Sequence, residues 1–492
     1  MRLRLLSVAL TLGLAAMLVL MPVAGADHTA DDHSQNMVHV FNAKNPNGAI
    51  NSDLAFWENL AVAGNYRGFR VFDITKPEQP ALLSAFPCNG GQGDVSVYQA
   101  KQRLLVIQSV DTPQDRRTCD SSNLSTDAAP GPGDWEGLRI IDITNPRAPF
   151  FVTAVETDCG SHTHTTIPDD NDQRAIVYVS SYPLPAGIGD ECNPPHSKIA
   201  IVEIPDADPA AARVLKYQPI HAQPLATNPH GAPPGTIGCH DITAFTDPKV
   251  QTAAAACLTE GQLWDISDPA NPCTVDERCH THIDNEFVEI WHAAAFTWDG
   301  EIVTFEDEHG GGSGPGCGGE QDRTGNVWFY GNVPPGTPTA PLFGRYHFPR
   351  PQVPEECTIH NYSIIPVQDD ERYVGVAAAY RGGTTVFEFT NLKPVNNPLP
   401  VLDPAAAPVV AQEIAWYDSK NGDGRGFDDA WSSYWYNDYV YVNGGLGRAP
   451  DASQNRGFDI YKLLDEGGRQ FKARSFHHFN PQTQEDFGTL GG

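Results

Sequence analysis

Hydrophobic residues recur along the chain in short runs that are bounded by Gly, Pro and Asn. Residues 94–99, 104–109, 138–143 and 150–155 form four such runs in succession. They are rich in β-branched and aromatic residues and have the length of β-strands. None continues into a longer pattern with a helical period, so the sequence predicts an all-β protein and excludes a helical solenoid.

One strand motif repeats along the chain. Gly68-Phe-Arg-Val-Phe-Asp-Ile-Thr75 recurs as Gly137-Leu-Arg-Ile-Ile-Asp-Ile-Thr144, and residues 261–269 form a third copy. Four weaker copies lie at 198–205, 325–330, 383–390 and 457–461, and equivalent positions are 58 to 73 residues apart. Seven units of four antiparallel strands predict a seven-bladed β-propeller; a row of separate small sandwiches is the alternative.

The predicted propeller covers residues 52–492. Residues 27–51 precede it, and the run 37–42 is placed to complete the last blade beside residues 470–478. Such closure joins the two ends of the chain in one sheet, which a ring of blades requires.

The repeat resembles a known family. The Gly-x-Arg-x-x-Asp-Ile-Thr-x-Pro pattern at 68–77 and 137–146, with the copy at 261–269, is similar to the LVIVD repeat of exported bacterial proteins. That resemblance implies a propeller-like fold and no particular activity. A more distant similarity is to propeller enzymes with several core histidines, namely the carotenoid oxygenases and the selenium-binding or methanethiol oxidase group.

Histidine occupies one register in four consecutive units. His162, His240, His292 and His360 each begin the predicted innermost strand of a unit. Because inner strands converge on the axis of a propeller, we expect these imidazoles to meet at the mouth of the tunnel. His164 follows on the same strand face and is a further candidate ligand.

Imidazole is a ligand for iron, copper or zinc, so the register predicts a transition-metal site. The acids Glu289, Glu306 and Glu308 are candidates to support it from outside, and His309 is a candidate extension of the cluster, as are His280 and His282. Trp431 stands at the same register in the last unit and is a candidate apolar wall. The alternative is that the histidines hydrogen-bond backbone carbonyls around a hydrated tunnel.

A calcium loop is a weaker cofactor candidate. The segment from Ser419 to Ala430 has Asn421 and Asp423 at suitable spacing, but Ser419 replaces the first acid and Ala430 the last. This pattern favours a turn.

Charge and the chain start indicate where the protein works. Residues 1–26 have a basic start, an apolar run and a small-residue cleavage site, which predict a signal peptide; an uncleaved N-terminal anchor is the alternative. The net charge of −29 repels nucleic acid and anionic membranes. We therefore expect a secreted or cell-surface monomer that binds no nucleic acid.

Ten cysteines on an exported chain predict disulfides. Their places relative to the predicted blades, and proximity, give one set of pairs: Cys88 with Cys119, Cys159 with Cys192, Cys239 with Cys257, Cys273 with Cys279, and Cys317 with Cys357. Cys279 with Cys317 is an equal alternative for the last group. These bonds would hold long loops over the histidine face.

Two functions remain open on the sequence. The histidine register favours a metal-dependent, redox-type enzyme that acts on a small molecule. The repeat alone is equally consistent with a non-catalytic surface scaffold that binds a protein or a glycan on the same face.

Overall fold

The computed structural model describes residues 31–46, 48–124, 133–169, 171–183, 192–227, 232–310, 323–350, 357–367, 372–419, 430–445 and 456–485. These residues form seven blades of four antiparallel strands each, arranged as a ring, which confirms the predicted seven-bladed β-propeller. Across the described ranges there is no α-helix. No described helix is long and apolar enough to cross a membrane.

The first four blades follow the chain from the inner to the outer strand. Their strands are β3 (Asn51–Trp57), β4 (Leu60–Asn65), β5 (Gly68–Asp73) and β6 (Ala81–Pro87) in blade 1; β7 (Val95–Ala100), β8 (Arg103–Gln114), β9 (Trp135–Asp142) and β10 (Phe150–Glu156) in blade 2; β11 (Thr163–Asp169), β12 (Arg174–Ser180), β13 (Lys198–Pro205) and β14 (Arg213–Pro219) in blade 3; β15 (Asp241–Phe245), β16 (Thr252–Ala256), β17 (Gly261–Asp265) and β18 (His280–Ile283) in blade 4.

The last three blades follow the same order. Strands from the two ends of the chain are added to blades 1, 4, 6 and 7. Their strands are β19 (Trp291–Phe296), β20 (Ile302–Asp307), β21 (Val327–Gly331) and β22 (Leu342–Tyr346) in blade 5; β23 (Tyr362–Ile365), β24 (Val374–Ala378), β25 (Thr384–Glu388) and β26 (Gln412–Asp418), with β1 (Asp32–His33) outside, in blade 6; β27 (Ser432–Tyr436), β28 (Tyr439–Gly444), β29 (Gly457–Leu463) and β2 (Met37–Ala43) in blade 7. Two short strands near the end of the chain are β30 (His478–Phe479), beside β3, and β31 (Thr483–Gln484), parallel to β15.

The repeat motif is the third strand of a blade and the turn after it. The carboxylates of Asp73, Asp142 and Asp265 each accept a hydrogen bond from the backbone N–H two residues later, at 2.8–2.9 Å. Asp is therefore favoured at this position because its side chain closes the turn. The motif glycine is equally local: Gly68 has a φ of 130°, and a Cβ there would lie 2.0 Å from the Phe86 carbonyl oxygen.

The ring closes through the N-terminal strand. Strand β2 pairs antiparallel with β29 and becomes the outer strand of blade 7. Residues 470–478, which the sequence suggested as its partner, are not the strand that it pairs with. Each blade packs apolar faces against its two neighbours, and these contacts form the buried core.

The C-terminal segment lies across the inner strands at the ends opposite the histidines. Asn480 exchanges two hydrogen bonds with the backbone of Val97, at 2.8 and 2.9 Å, in blade 2. Gln484 does the same with Phe296, at 2.7 and 2.9 Å, in blade 5. The Thr483 hydroxyl donates to the Thr166 carbonyl in blade 3. This segment therefore joins blades that are distant along the chain.

Four predicted disulfides are confirmed: Cys88–Cys119, Cys159–Cys192, Cys239–Cys257 and Cys273–Cys279. The Cys273–Cys279 bond excludes the alternative pair of Cys279 with Cys317. Cys357 is also disulfide-bonded, and its predicted partner Cys317 lies outside the described residues. Four disulfides indicate an oxidising, extracellular environment. The predicted signal peptide and most of the candidate calcium loop, residues 420–429, also lie outside the described residues.

Candidate metal centre

Three of the four register histidines have equivalent backbone pairing. The N–H groups of His162, His240 and His360 each donate to a carbonyl of the second strand of their own blade, at 2.7–2.9 Å. His292 is the second residue of β19, the inner strand of blade 5. All four therefore stand at the same end of neighbouring inner strands.

Their imidazoles form a buried arc. Successive ring centroids from His162 through His240 and His292 to His360 are 4.5, 3.8 and 4.4 Å apart. Their exposed fractions are only 1–6%. The Nε2 atoms of His162 and His240 are 2.9 Å apart. The structure thus brings together side chains that are separated by 198 positions in the sequence.

The outer nitrogen of each ring contacts an oxygen. His162 Nδ1 is 2.9 Å from Asp111 Oδ2, and His240 Nδ1 is 3.0 Å from Asp241 Oδ1. His292 Nδ1 pairs with Glu306, and His360 Nδ1 lies 2.5 Å from the Trp431 carbonyl oxygen. An Nδ1 proton donated to each oxygen leaves the Nε2 lone pair available on the inner side. Metal-binding histidines are normally held in this way.

Glu308 stands on the inner side of the arc. Its two carboxylate oxygens lie 3.7 Å from His292 Nε2 and from His360 Nε2. The Tyr380 hydroxyl donates a hydrogen bond to Glu308, and the ring centroids of Tyr380 and His360 are 4.6 Å apart. Glu308 is therefore close enough to both rings to bind an ion together with them, a closer position than the supporting role that the sequence suggested.

The donor set fits a transition metal. The ligand atoms of His240, Asp241 and His292 lie within 4.8 Å of one another, and so do those of His292, Glu308 and His360. Two nitrogens about 2.1 Å from one ion would be about 3.4 Å apart in a tetrahedral site and about 3.0 Å apart at a right angle. The Nε2 atoms of His162 and His240 are 2.9 Å apart, which is nearer to the right angle. These buried groups could hold a metal ion of the kind that imidazole prefers.

Carboxylates around the arc are costly without a cation. Burial, with the charges of Glu308, Asp307 and Asp241, raises the pKa of Glu306 well above its usual value. Burial and the charge of Asp94 are the main causes that raise the pKa of Asp241 in the same direction. A positive ion among them would offset this repulsion.

Three predicted residues lie outside the arc. His164 is fully engaged elsewhere: Nδ1 contacts Asp94 at 3.0 Å and Nε2 contacts Ser96 Oγ at 2.7 Å. Glu289 and His309 pair with each other at 2.9 Å and are 39% and 28% exposed. The side chain of His164 therefore contacts blade 2 and does not join the arc.

His280 and His282 do not join the centre. They lie on β18, the outer strand of blade 4, whereas the arc lies on inner strands. The repeat motif assigned neither residue to a particular strand, so the sequence could not show that both lie on an outer strand.

The sequence missed the residues that orient the arc. Asp111 lies in the long second strand of blade 2, and Tyr380 follows β24 in blade 6. Only Asp241, which directly follows His240, carried a local signal. The Trp431 ring lies 4.9 Å from the ring of His360. The backbone carbonyl oxygen of Trp431 contacts His360 Nδ1, and the residue type gives no sign of such a backbone contact.

A cavity of about 650 Å³ lies beside the arc, lined on one side by Tyr66, Gly91 and Thr112. The Tyr66 hydroxyl donates to Gln92 Oε1 at 2.9 Å, and Gln92 Nε2 lies 3.3 Å from His162 Nε2. Tyr66 also meets Trp431 edge to face, at 5.9 Å. Tyr66 and Gln92 therefore separate the cavity from the imidazoles.

No model of a known protein family matches the chain, and no curated protein matches it. One solved structure with a similar course of the chain is that of Raptor from Chaetomium thermophilum, with 9% sequence identity and a TM-score of 0.46. The alignment covers 89% of this chain and 30% of that one, so this chain spans less than a third of that protein. The similarity to LVIVD proteins and to histidine-rich propeller enzymes stays a prediction.

Proposed function

We propose that this protein is a metal-dependent enzyme that binds one transition-metal ion among His162, His240, His292 and His360, with Glu308 beside them. The observation that carries the proposal is the two-sided arrangement of the four rings. Oxygen atoms contact the four Nδ1 atoms. On the other side, the Nε2 atoms of His162 and His240 lie 2.9 Å apart, and those of His292 and His360 each lie 3.7 Å from Glu308.

The close contact between His162 and His240 supports a cation at this position. If both Nδ1 atoms donate their protons to carboxylates, two Nε2 lone pairs face each other at 2.9 Å. Such lone pairs repel unless a proton or a metal ion lies between them. In a buried site rich in carboxylates a divalent ion also compensates the negative charge.

An ion held by imidazole supplies Lewis acidity and, if it is iron or copper, redox chemistry. The chain itself supplies position and exclusion of water. Trp431, Tyr380 and Tyr66 place aromatic surfaces beside the imidazoles. The cavity next to Tyr66, whose lining includes Arg67, Asn89 and Asn123, is large enough for a small molecule. Redox chemistry is preferred to hydrolysis because of the resemblance to multi-histidine propeller enzymes.

Metal analysis of full-length protein purified without an affinity tag tests the proposal. We expect about one iron, copper or zinc ion at this site, so the His240→Ala, His360→Ala double variant should hold about one ion per chain fewer than the parent. The matched control is His309→Ala, which removes an imidazole that is paired at the surface and leaves the metal content unchanged.

Equal metal content in folded parent and double variant, before and after reconstitution, would refute the proposal. It would instead favour the scaffold that binds a protein or a glycan on this face. Folding of the double variant is checked by its circular dichroism spectrum.

A further inference from the structure

A second histidine cluster lies at the outer edge of blade 4. His280 and His282 are two residues apart on β18, so their side chains stand on one face of the sheet. Their ring centroids are 4.2 Å apart. On the neighbouring strand β17 they are opposite Trp264 and Gln262. This face packs toward blade 3, because Trp264 belongs to the same core cluster as Ile199 and Ile201.

His280 has unsatisfied nitrogens. It is 3% exposed, and neither of its ring nitrogens has a hydrogen-bond partner among the described residues. Buried polar groups in folded proteins nearly always have a partner, which is an ion or a water molecule where the chain offers none. Burial first, and then the nearby His282 and His221, lower the pKa of His280 to about 4. An ion or a water molecule is therefore expected at a nitrogen of His280.

His282 is held as a metal ligand would be. Its Nδ1 pairs with Glu260, which is 2% exposed. Glu260 is fixed in turn by Gln262 Nε2, at 2.7 Å, and Gln262 Oε1 accepts from Trp264 Nε1 at 2.8 Å. A carboxylate behind Nδ1 fixes the tautomer and leaves Nε2 to bind.

A third imidazole comes from the neighbouring blade. His221 follows the outer strand of blade 3, and its carbonyl accepts a hydrogen bond from Gln262. Among the described residues the three imidazoles do not form a group as compact as those at the centre. His221 is exposed and lies close enough to His280 for its charge to lower the pKa of that ring.

We propose that His280 and His282, with His221, bind a Zn²⁺ ion at the seam between blades 3 and 4. Neutral imidazole nitrogens are suitable ligands for Zn²⁺, and Glu260 is the carboxylate that supports one of them. The site is on outer strands, away from the tunnel. Its role is to connect two blades rather than to contact the substrate of the central site.

The test uses full-length protein that is stripped with a chelator and reloaded with Zn²⁺. The central site is first removed by His240→Ala and His360→Ala, so that the count does not depend on the proposed function. We expect this variant to bind about one Zn²⁺ and to melt at a higher temperature with Zn²⁺ than without it. Adding His280→Ala and His282→Ala should abolish both effects.

Two further variants guard against a folding defect. Glu260→Gln keeps every imidazole and should weaken Zn²⁺ binding about 10- to 100-fold, as loss of a supporting carboxylate does. His309→Ala in the same background is the matched control and should change nothing.

Absence of Zn²⁺ binding in the folded central-site variant would overturn the proposal, as would unchanged affinity after His280→Ala and His282→Ala. Neither result bears on the central site, because that site is already removed in this variant by His240→Ala and His360→Ala. Failure of the central site would appear separately, as no loss of metal on changing those two residues.

Discussion

Asp53 is a buried carboxyl group that should make stability depend on pH. It lies in the inner strand of blade 1 and is 2% exposed. Burial first, and then the charge of Asp94, raise its pKa from 3.8 to about 8. Hydrogen bonds from Leu54 N–H, at 2.8 Å, and from Gln482, at 2.9 Å, oppose this rise without cancelling it.

The direction follows from proton binding in the two states. Between about pH 4 and pH 8 the folded protein keeps the Asp53 proton, whereas the unfolded chain has lost it. Stability due to this group is therefore full below about pH 4 and falls as pH rises toward 8. One proton changes the free energy of unfolding by about 1.4 kcal/mol per pH unit, so about 3 kcal/mol is lost between pH 5 and 7.5.

The test is Asp53→Asn in metal-stripped protein. Unfolding by guanidinium, followed by tryptophan fluorescence at several pH values, gives the dependence of stability on pH. We expect the variant to lose the Asp53 part of the slope and to be more stable than the parent at pH 7.5. The control Asp73→Asn removes a carboxylate whose pKa is lowered by the hydrogen bonds of Thr75, so it leaves the slope from pH 5 to 7.5 unchanged. Equal slopes in parent and Asp53→Asn would refute the reasoning.

Three further predictions concern the centre, a loop and the chain end. Asp111→Asn should weaken metal binding about 10- to 100-fold in a chelator competition, because it loosens His162; unchanged affinity would contradict the assignment. Arg139→Met should lower the melting temperature and cost about 3 kcal/mol or more, because its buried guanidinium donates to the Asn89 and Arg117 carbonyls; a neutral effect would show that other groups satisfy these oxygens. Removal of residues 478–492 should also lower the melting temperature, because it removes the bonds from Asn480 and Gln484 to blades 2 and 5; an unchanged melting temperature would mean that these bonds add no stability.

Much of the architecture was predictable because it repeats. The motif combines a strand, an Asp that closes the next turn and a glycine at positive φ, all of which are local requirements. Two disulfides, Cys88–Cys119 and Cys159–Cys192, followed from the position of each cysteine within a blade, and two more, Cys239–Cys257 and Cys273–Cys279, followed from proximity along the chain. The exact partner of the closing strand was missed, because pairing between chain ends depends on the finished ring.

The candidate site was also predictable only in part. The sequence by itself determined that four histidines share a register, since equivalent positions on inner strands can be counted along the chain. The oxygens that contact these rings depend on the tertiary structure. Asp111 of blade 2 contacts His162, and Glu308, directly after the second strand of blade 5, lies beside His292. The tertiary structure also directed His164 toward Asp94 and placed His280 at an outer edge. The physical reason is that register follows from the local two-residue period of a strand, whereas contacts between blades exist only after the ring has closed.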